Sequence, residues 1–548
     1  MQLKVNDLRQ LDADTLRRLH QRDPDALLGL SVRLLDDLKE AHERLNQSPQ
    51  NSSRPPSSCG PWHRPGSEPE ETSDSLEPEP EETPDSLKPE PAEVVPSAEA
   101  TTQGAAEATT EPTPANTRSD KQAAAPKRPR GKQPGAPGVA RTQEIPFTAT
   151  LFHRPAVCSC CCQELPPEGR PWTAFGELGI ELGTESNPNL RLTHTRHVYF
   201  ETPCTCGHVT REEPYRAPPD ADLWKGVVIS EWRLIGPSLA GLLVWLHLRM
   251  RLTTRLTREF LRETLGLELS TGAIAESLLE SARAADPAQQ VLLAELIRHE
   301  SELLHADETP WYLAGKDTWL WVLLSATVVL FAIGPRSKAT FTGLLGTVYT
   351  GWLMTDGYTV YRDYPKRLRC WAHLLRKAQG LADSLTPWAV SYGRQMLDQL
   401  HSLMEAIHEA RRIGFTGSLR APCQGGLDAL RALCERMERS AHKKTHELGF
   451  EFLNDWDAIF RILDHPHLPL TNNEAERVLR PWVILRRITY GNRTPQGARA
   501  FTLLASLIET CRRRAASPLR YLQQVIAAGR RGLEIPPLPP IPHASVGG

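Results

Sequence analysis

Between Pro49 and Arg141 the chain cannot build a packed core, so whatever folds is split into a short piece before this stretch and a long one after it. From Ser67 to Glu93 there are eleven acidic residues against the single base Lys88, with prolines throughout and no aromatic side chain. Such a segment buries too little apolar surface to offset the entropy of ordering it, and it is expected to be a disordered spacer. The sign of the charge then reverses at Lys121, Lys127, Arg128, Arg130, Lys132 and Arg141, interleaved with Gly and Pro. A basic arm of this composition can follow DNA phosphates through non-specific, salt-sensitive contacts, although a merely solvated linker has the same composition. The formal net charge of −2 conceals both blocks.

Ahead of the spacer, Leu27, Leu30, Leu34, Leu38 and Leu45 recur at spacings that place them along one side of a helix. A single docked helix and a short coiled coil that pairs subunits both fit, because the repeat spans too few heptads to separate them. No basic, then apolar, then small-residue pattern follows Met1, so no secretion signal is expected.

Five of the eleven cysteines fall between Cys158 and Cys204, with Cys206 just beyond. In a chain expected to stay in a reducing compartment, such clustering favours metal binding over disulfides. Cys158 and Cys161 have the spacing of a zinc knuckle. Cys204 and Cys206 are closer than usual, so His208 can stand in for one of them; free thiols are the alternative. A site closed by four such ligands is structural, since no coordination position stays open.

The region from Ser230 to Glu302 reads as helical. Thr253–Leu265, a turn containing Gly266, and a second helix capped by Ser270 or Thr271 have the pattern of a helix-turn-helix. Arg249, Arg251, Arg255, Arg258 and Arg262 make its first half basic. Helix pairs of this kind also occur in proteins that never touch DNA. Beyond them, Thr318 to Gly334 is uncharged. It is short for a membrane span and rich in β-branched and aromatic residues, so it reads as two strands of a hairpin. Strands are expected at 303–307, 318–324, 327–333 and 351–355, and helices over 376–463, 473–487 and 499–514.

The chemical signal is carried by acids in three places. Asp307 and Asp356 stand at the ends of apolar strands, and Glu474 and Glu476 open a helix. One such acid is ordinarily a turn or cap residue. Three at the rim of one sheet can converge on two divalent ions roughly 4 Å apart, the arrangement that phosphodiester chemistry uses. Oxygen ligands of this kind suit Mg²⁺.

These strings resemble the insertion sequence 66 family of bacterial transposases. The matching segments are HADETPW at 305–311, TDGYTVY at 355–361, CWAHLLRK at 370–377, NNEAERVLRP at 472–481, and GARA at 497–500 with SLIETC at 506–511. RLNQSPQNSSRPPSS at 44–58, KRPRGKQPGAPG at 127–138 and the paired cysteines are also similar to that family. The resemblance implies a DDE transposase with a ribonuclease H-like core, in which Asp307, Asp356 and Glu476 are catalytic and hold Mg²⁺ or Mn²⁺. Glu476 is selected over Glu474 because the family places Glu-Arg three residues after two Asn. The two glutamates lie about 200° apart on a helix, so both cannot face one site. Thr471 stands where the family pattern leads one to expect an acid. The spacer is longer than the family usually carries.

The architecture expected is therefore multidomain: an N-terminal helix over 1–48, spacer and arm over 49–142, and a zinc-ribbon-like module over 143–217 with Cys158, Cys161, Cys204 and Cys206 on Zn²⁺. A helix-turn-helix-like region follows over 218–300. An α/β ribonuclease H-like core over 301–515 carries a helical insertion at about 376–466, and a C-terminal helix with a disordered tail occupies 516–548. Lys127, Arg128, Arg130 and Lys132 are expected on DNA. Partners implied are double-stranded DNA of element ends and target, further copies of the chain in a synaptic complex, and accessory proteins of the same element. No membrane is expected; the place would be the cytoplasm, on the nucleoid. Two rival readings are a catalytically inactive, domesticated DNA-binding protein with zinc, and a nuclease of the same fold that cuts without joining.

Overall fold

In a computed structural model, residues 13–45, 143–184, 189–220, 222–298, 303–346 and 349–541 are described. The spacer and the basic arm with Lys127, Arg128, Arg130 and Lys132 lie outside them. Two helices come first, α1 (Ala13–Arg22) and α2 (Pro24–Leu45). Pro24 sits where a helix needs no N–H, and Asp23 accepts the Ala26 N–H at 3.0 Å, so the second helix starts at once after the first. Leu27, Leu30 and Leu34 are half-buried, but Leu38 is 66% exposed and does not continue their stripe.

The cysteine-bearing module is a sheet of β1 (Ala149–His153), β2 (Arg170–Leu182), β3 (Leu190–Pro203) and β4 (Val209–Arg211). β2 and β3 form a long antiparallel pair, β1 lies parallel to β3 on its other side, and β4 folds back on the end of β3.

Next come α3 (Pro237–Val244), which runs on as one wide turn over Trp245–Arg249, then α4 (Thr254–Leu265), α5 (Thr271–Ala285) and α6 (Ala288–Ile297). The helix pair forms as the sequence indicates. Thr253 caps α4, Gly266 closes it at φ 58°, and Ser270 caps α5. Most of α5 is sunk against neighbouring helices, and Glu276 is the only charged residue exposed on its first turns.

A second sheet has the order β7-β6-β5-β8-β9, from β5 (Leu303–Leu313), β6 (Lys316–Leu324), β7 (Val329–Gly334), β8 (Trp352–Thr355) and β9 (Arg367–Arg369). β5, β6 and β7 are antiparallel; β8 and β9 add parallel to β5. The uncharged run makes the β6–β7 hairpin. β5 runs six residues past the expected end at 307, carrying Pro310 within it. β8 pairs only with 303–305, so at Pro310 that side of β5 faces no paired strand and the proline is tolerated there.

Between β7 and β8 lies α7 (Lys338–Leu345). After β9 come α8 (Trp371–Ala382), α9 (Pro387–Arg412), α10 (Arg420–Glu438), α11 (Lys443–Asn454) and the single turn α12 (Trp456–Phe460). These helices close around their own apolar core, from Met354 and Leu368 to Leu470. The chain then returns to the first core with α13 (Asn473–Thr489), α14 (Pro495–Arg513) and α15 (Pro518–Arg530). α14 covers the edge strand β7. Ser506 accepts the Phe331 N–H at 2.9 Å and Thr510 that of Val329 at 3.0 Å, satisfying donors that an open edge leaves bare.

The tail differs from the expectation of disorder as far as it is described. Ile535 and Leu538 pack on the core, Tyr521 donates to the Pro536 carbonyl at 3.1 Å, and Arg514 to that of Pro539 at 2.8 Å. Proline-rich chain leaves its carbonyls unused by itself, and here buried donors take them.

Candidate active site

β5 carries Asp307 midway along its length, on the sheet face against which α13 packs. The neighbours His305, Thr309 and Trp311 on that face reach Asn472, Arg486 and Asn492. Asp356 follows the last residue of β8, and its Oδ1 accepts the Tyr358 N–H at 2.8 Å. Glu476 is in the first turn of α13. Burial, and then the charges of Glu308, Asp356 and Glu476, push the Asp307 carboxyl well above its ordinary range. Asp356 and Glu476 thus both act on the Asp307 carboxyl.

Glu474 is placed differently. It meets Arg477 at 2.5 Å and Arg513 at 2.8 Å, and despite its burial these cations hold its pKa down. Glu476 turns to Arg376 at 3.5 Å and to the His373 ring at 3.6 Å. The Nδ1 of His373 is buried without a partner. Cys370, three residues before His373, is fully buried; its thiol is pushed up to about 11 by burial and accepts the Asn472 N–H at 3.1 Å.

Several contributors have partners that the residue pattern does not reveal. Asn472 occupies the cap position of α13, but its side chain does not cap. It faces His305 Nδ1 at 2.9 Å and donates to the Ala306 carbonyl at 2.8 Å. Glu308, on the opposite face from Asp307, holds Arg336 at 2.8 and 3.0 Å and accepts the Tyr361 hydroxyl; burial and Asp356 push it up to about 7. Arg336 in turn stacks on Tyr358, 4.0 Å from the ring centre.

Beneath Asp356 lies a buried ion cluster. Asp455 meets Arg362 at 3.2 Å and Arg367 at 2.7 Å, and also Arg369; Glu451 meets Arg369 at 2.5 Å and Lys377 at 2.6 Å. Gly357 rests directly on it, since a Cβ there would fall 2.7 Å from both the Arg369 guanidinium and the Glu451 carboxylate. The turn that presents Asp356 is thus seated on a helix of the insertion.

The four cysteines come together apart from the acids. Cys161 Sγ and Cys204 Sγ are 3.5 Å apart, Cys158 Sγ and Cys206 Sγ 3.7 Å, and all four lie within 4.8 Å of one another. Among the described residues this is the one group of three or more candidate ligands packed so closely. It could hold a metal ion: a tetrahedron with bonds of about 2.3 Å has edges of about 3.8 Å. The backbone N–H of Cys161 holds the Cys158 thiol down at about 6. Cys206 is pushed up to about 12 by the neighbouring thiols, against the backbone N–H of His208. His208 bonds Ser159 Oγ at 2.9 Å and stays outside the group.

No helix among the described residues is long and apolar enough to cross a membrane. Two curated relatives, both from Sinorhizobium fredii, are named as the uncharacterized proteins y4qI and y4jO. The first is 26% identical over 44% of this chain and 51% of its own length; the second is 27% identical over 47% of this chain and 75% of its own length. The chain thus spans about half the length of the first of them. Residues 233–500, which run from the helices before β5 to the start of α14 and include all three acids, match the family described as "Transposase IS66 family". Over those residues, just under half of its length, the chain carries a domain that matches the IS66 family of transposases.

Proposed function

We propose that this chain cuts DNA at the ends of a mobile element and joins the freed 3′ ends to target DNA, with Asp307, Asp356 and Glu476 as the catalytic acids. The observation that carries this reading is the shared electrostatics of three carboxylates brought by three separate elements. Among the described residues neither Asp307 nor Asp356 has a Lys or Arg as a hydrogen-bond or ion-pair partner, so their repulsion is left for a bound cation to relieve. Two divalent ions spread their ligands over several ångströms, which suits carboxylates that do not crowd within 4.8 Å as the thiols do. Oxygen donors favour Mg²⁺ or Mn²⁺. Bound there, such ions would supply an activated attacking oxygen and a stabilised leaving oxygen.

The chain's own residues orient and hold. Asn472 fixes α13 against β5, the cluster under Gly357 fixes the Asp356 turn, and Arg376 with His373 holds the Glu476 carboxylate. The sheet order, three antiparallel strands with two parallel strands added at the first, supports a ribonuclease H-like core. At the four cysteines, thiolate donors at tetrahedral spacing favour a structural zinc ion that ties the two turns together. The DNA-contacting roles of Lys127, Arg128, Arg130 and Lys132 belong to the same reading. An end-labelled duplex tests it: with Mg²⁺ the chain yields nicked and then joined products. Nicking without joining would favour a nuclease, and binding without either a domesticated DNA-binding protein.

A further inference from the structure

We infer that the outward face of α13, continued by the turn at 490–493, seats duplex DNA whose scissile phosphate lies at the Glu476 end. The inference rests on the catalytic reading above and adds a track to it. Arg477, Arg480, Ile484, Arg487 and Ile488 are exposed at spacings that make one stripe along the helix. Arg480 and Arg493 make no hydrogen bond or ion pair among the described residues. The stripe begins beside Glu476 and ends at Tyr490, which is 81% exposed.

Tyr490 is held rather than loose. It closes α13 at φ 57°, a conformation that asparagine or glycine adopts more cheaply. Behind it Asn492 pairs through its backbone with Tyr312 and Ala314, at 2.9 and 2.8 Å. Gly491 is pressed so closely that a Cβ would fall 2.2 Å from the Tyr312 carbonyl oxygen. The turn is thereby locked to the tip of the β5–β6 hairpin, where Tyr312 and Lys316 are also exposed.

Charge decides the occupant. An arginine stripe repels a second copy of itself and attracts a polyanion, and the interspersed isoleucines and tyrosine offer apolar contact to sugars and bases. α5, the other candidate reading helix, offers only Glu276 as an exposed charge on its first turns. From Glu476 to Tyr490 the helix advances about 21 Å at 1.5 Å per residue. That is about six base-pair steps at 3.4 Å each along a strand. Tyr490 should therefore meet the DNA about six nucleotides from the cut.

The test uses the full chain carrying Asp307→Asn, so that DNA is bound without being consumed. Adding Arg480→Ala and Arg493→Ala should flatten the log–log salt dependence of binding to a duplex by about 1.8 units, about 0.9 per lost phosphate contact. A slope unchanged from the Asp307→Asn parent would overturn the inference. A photo-crosslinking p-benzoylphenylalanine in place of Tyr490 should attach to the duplex, about six nucleotides from the cut site. Crosslinking only to a second copy of the chain would also overturn it. The catalytic reading fails separately: if Asp307→Asn cuts as fast as the parent chain while slope and crosslink behave as expected, the track stands without it.

Discussion

The side chain of Asn472 donates a hydrogen bond to the carbonyl of Ala306, 2.8 Å away, and so joins the start of the Glu476 helix to the residue beside Asp307. Because its amide nitrogen is committed there, its oxygen must accept from His305, which fixes the proton of that ring on Nδ1. Its backbone N–H reaches Cys370 Sγ, and the Cys370 N–H reaches the Thr355 carbonyl next to Asp356. One buried residue thus ties together the three segments that carry the acids.

Replacing Asn472 should therefore cost both stability and rate. Asn472→Ala leaves a buried carbonyl and a buried ring N–H without partners, at about 1–3 kcal/mol each. If the roughly 200 residues from β5 to α14 melt as one unit, each kcal/mol lowers its melting temperature by about 2–4 °C. Asn472→Asp keeps the acceptor towards His305 but sets an oxygen against the Ala306 carbonyl, and should fall at least as far. Thermal melts of both variants, read beside nicking rates, check this; parent-like values in both would remove the role.

Asp307→Asn, Asp356→Asn and Glu476→Gln should each slow nicking about a thousandfold, as expected when several kcal/mol of metal-borne stabilisation is lost. Duplex binding in low salt should stay within a few-fold of the parent. Retained cleavage in Glu476→Gln together with lost cleavage in Glu474→Gln would transfer the role to the other glutamate.

At the cysteines, elemental analysis should find one zinc per chain, and a strong chelator should remove it. Four thiols so close cannot all ionise without a cation, so metal uptake should release protons and weaken as the solution is acidified. Cys158→Ser with Cys161→Ser should lose the metal and expose the turns at 158–163 and 204–208 to proteolysis. Unaltered zinc content in that double variant would refute the assignment.

The cluster at Asp455 gives a pH dependence with a definite sign. Burial alone would raise the Asp455 pKa, yet Arg367, Arg369 and Arg362 together hold it below the ordinary value of 3.8. A depressed folded pKa contributes stability that is present above the unfolded value and lost as pH falls through the folded one. The insertion should therefore loosen below about pH 4. Asp455→Asn should cost about 3–5 kcal/mol already at neutral pH, since it strands buried arginines. Acid titrations followed by circular dichroism would show this, and identical curves for variant and parent would rule it out.

The hairpin over 318–334, the capped pair around Gly266 and the closeness of the four cysteines were legible from residue pattern alone, because each rests on local chemistry: branched runs, caps, and soft ligands on tight turns. The length of β5 was not. Asp307-Glu308-Thr309-Pro310 reads as a turn, and only the short pairing of β8 explains why a strand passes through it. Asn472 stands directly before a helix, where asparagine ordinarily caps, whereas its actual partners, His305 and Ala306, lie far away in sequence. The buried charges at 362–377 and 451–455 were invisible for the same reason. Arginine and aspartate read as surface until tertiary structure supplies the opposite sign.

Asn472 and Ala306 are 166 residues apart, with a whole helical body made between them. At about 5–20 residues per second on the ribosome, Asp307 waits roughly ten to thirty seconds for the segment that completes its surroundings. On the proposed reading, an unfinished chain owns two of the acids but no clamp and no third carboxylate, and should be unable to cut DNA while it is still being made. The site as proposed would then be completed only with the synthesis of α13, so the order of the elements along the chain would act as a timer on its assembly.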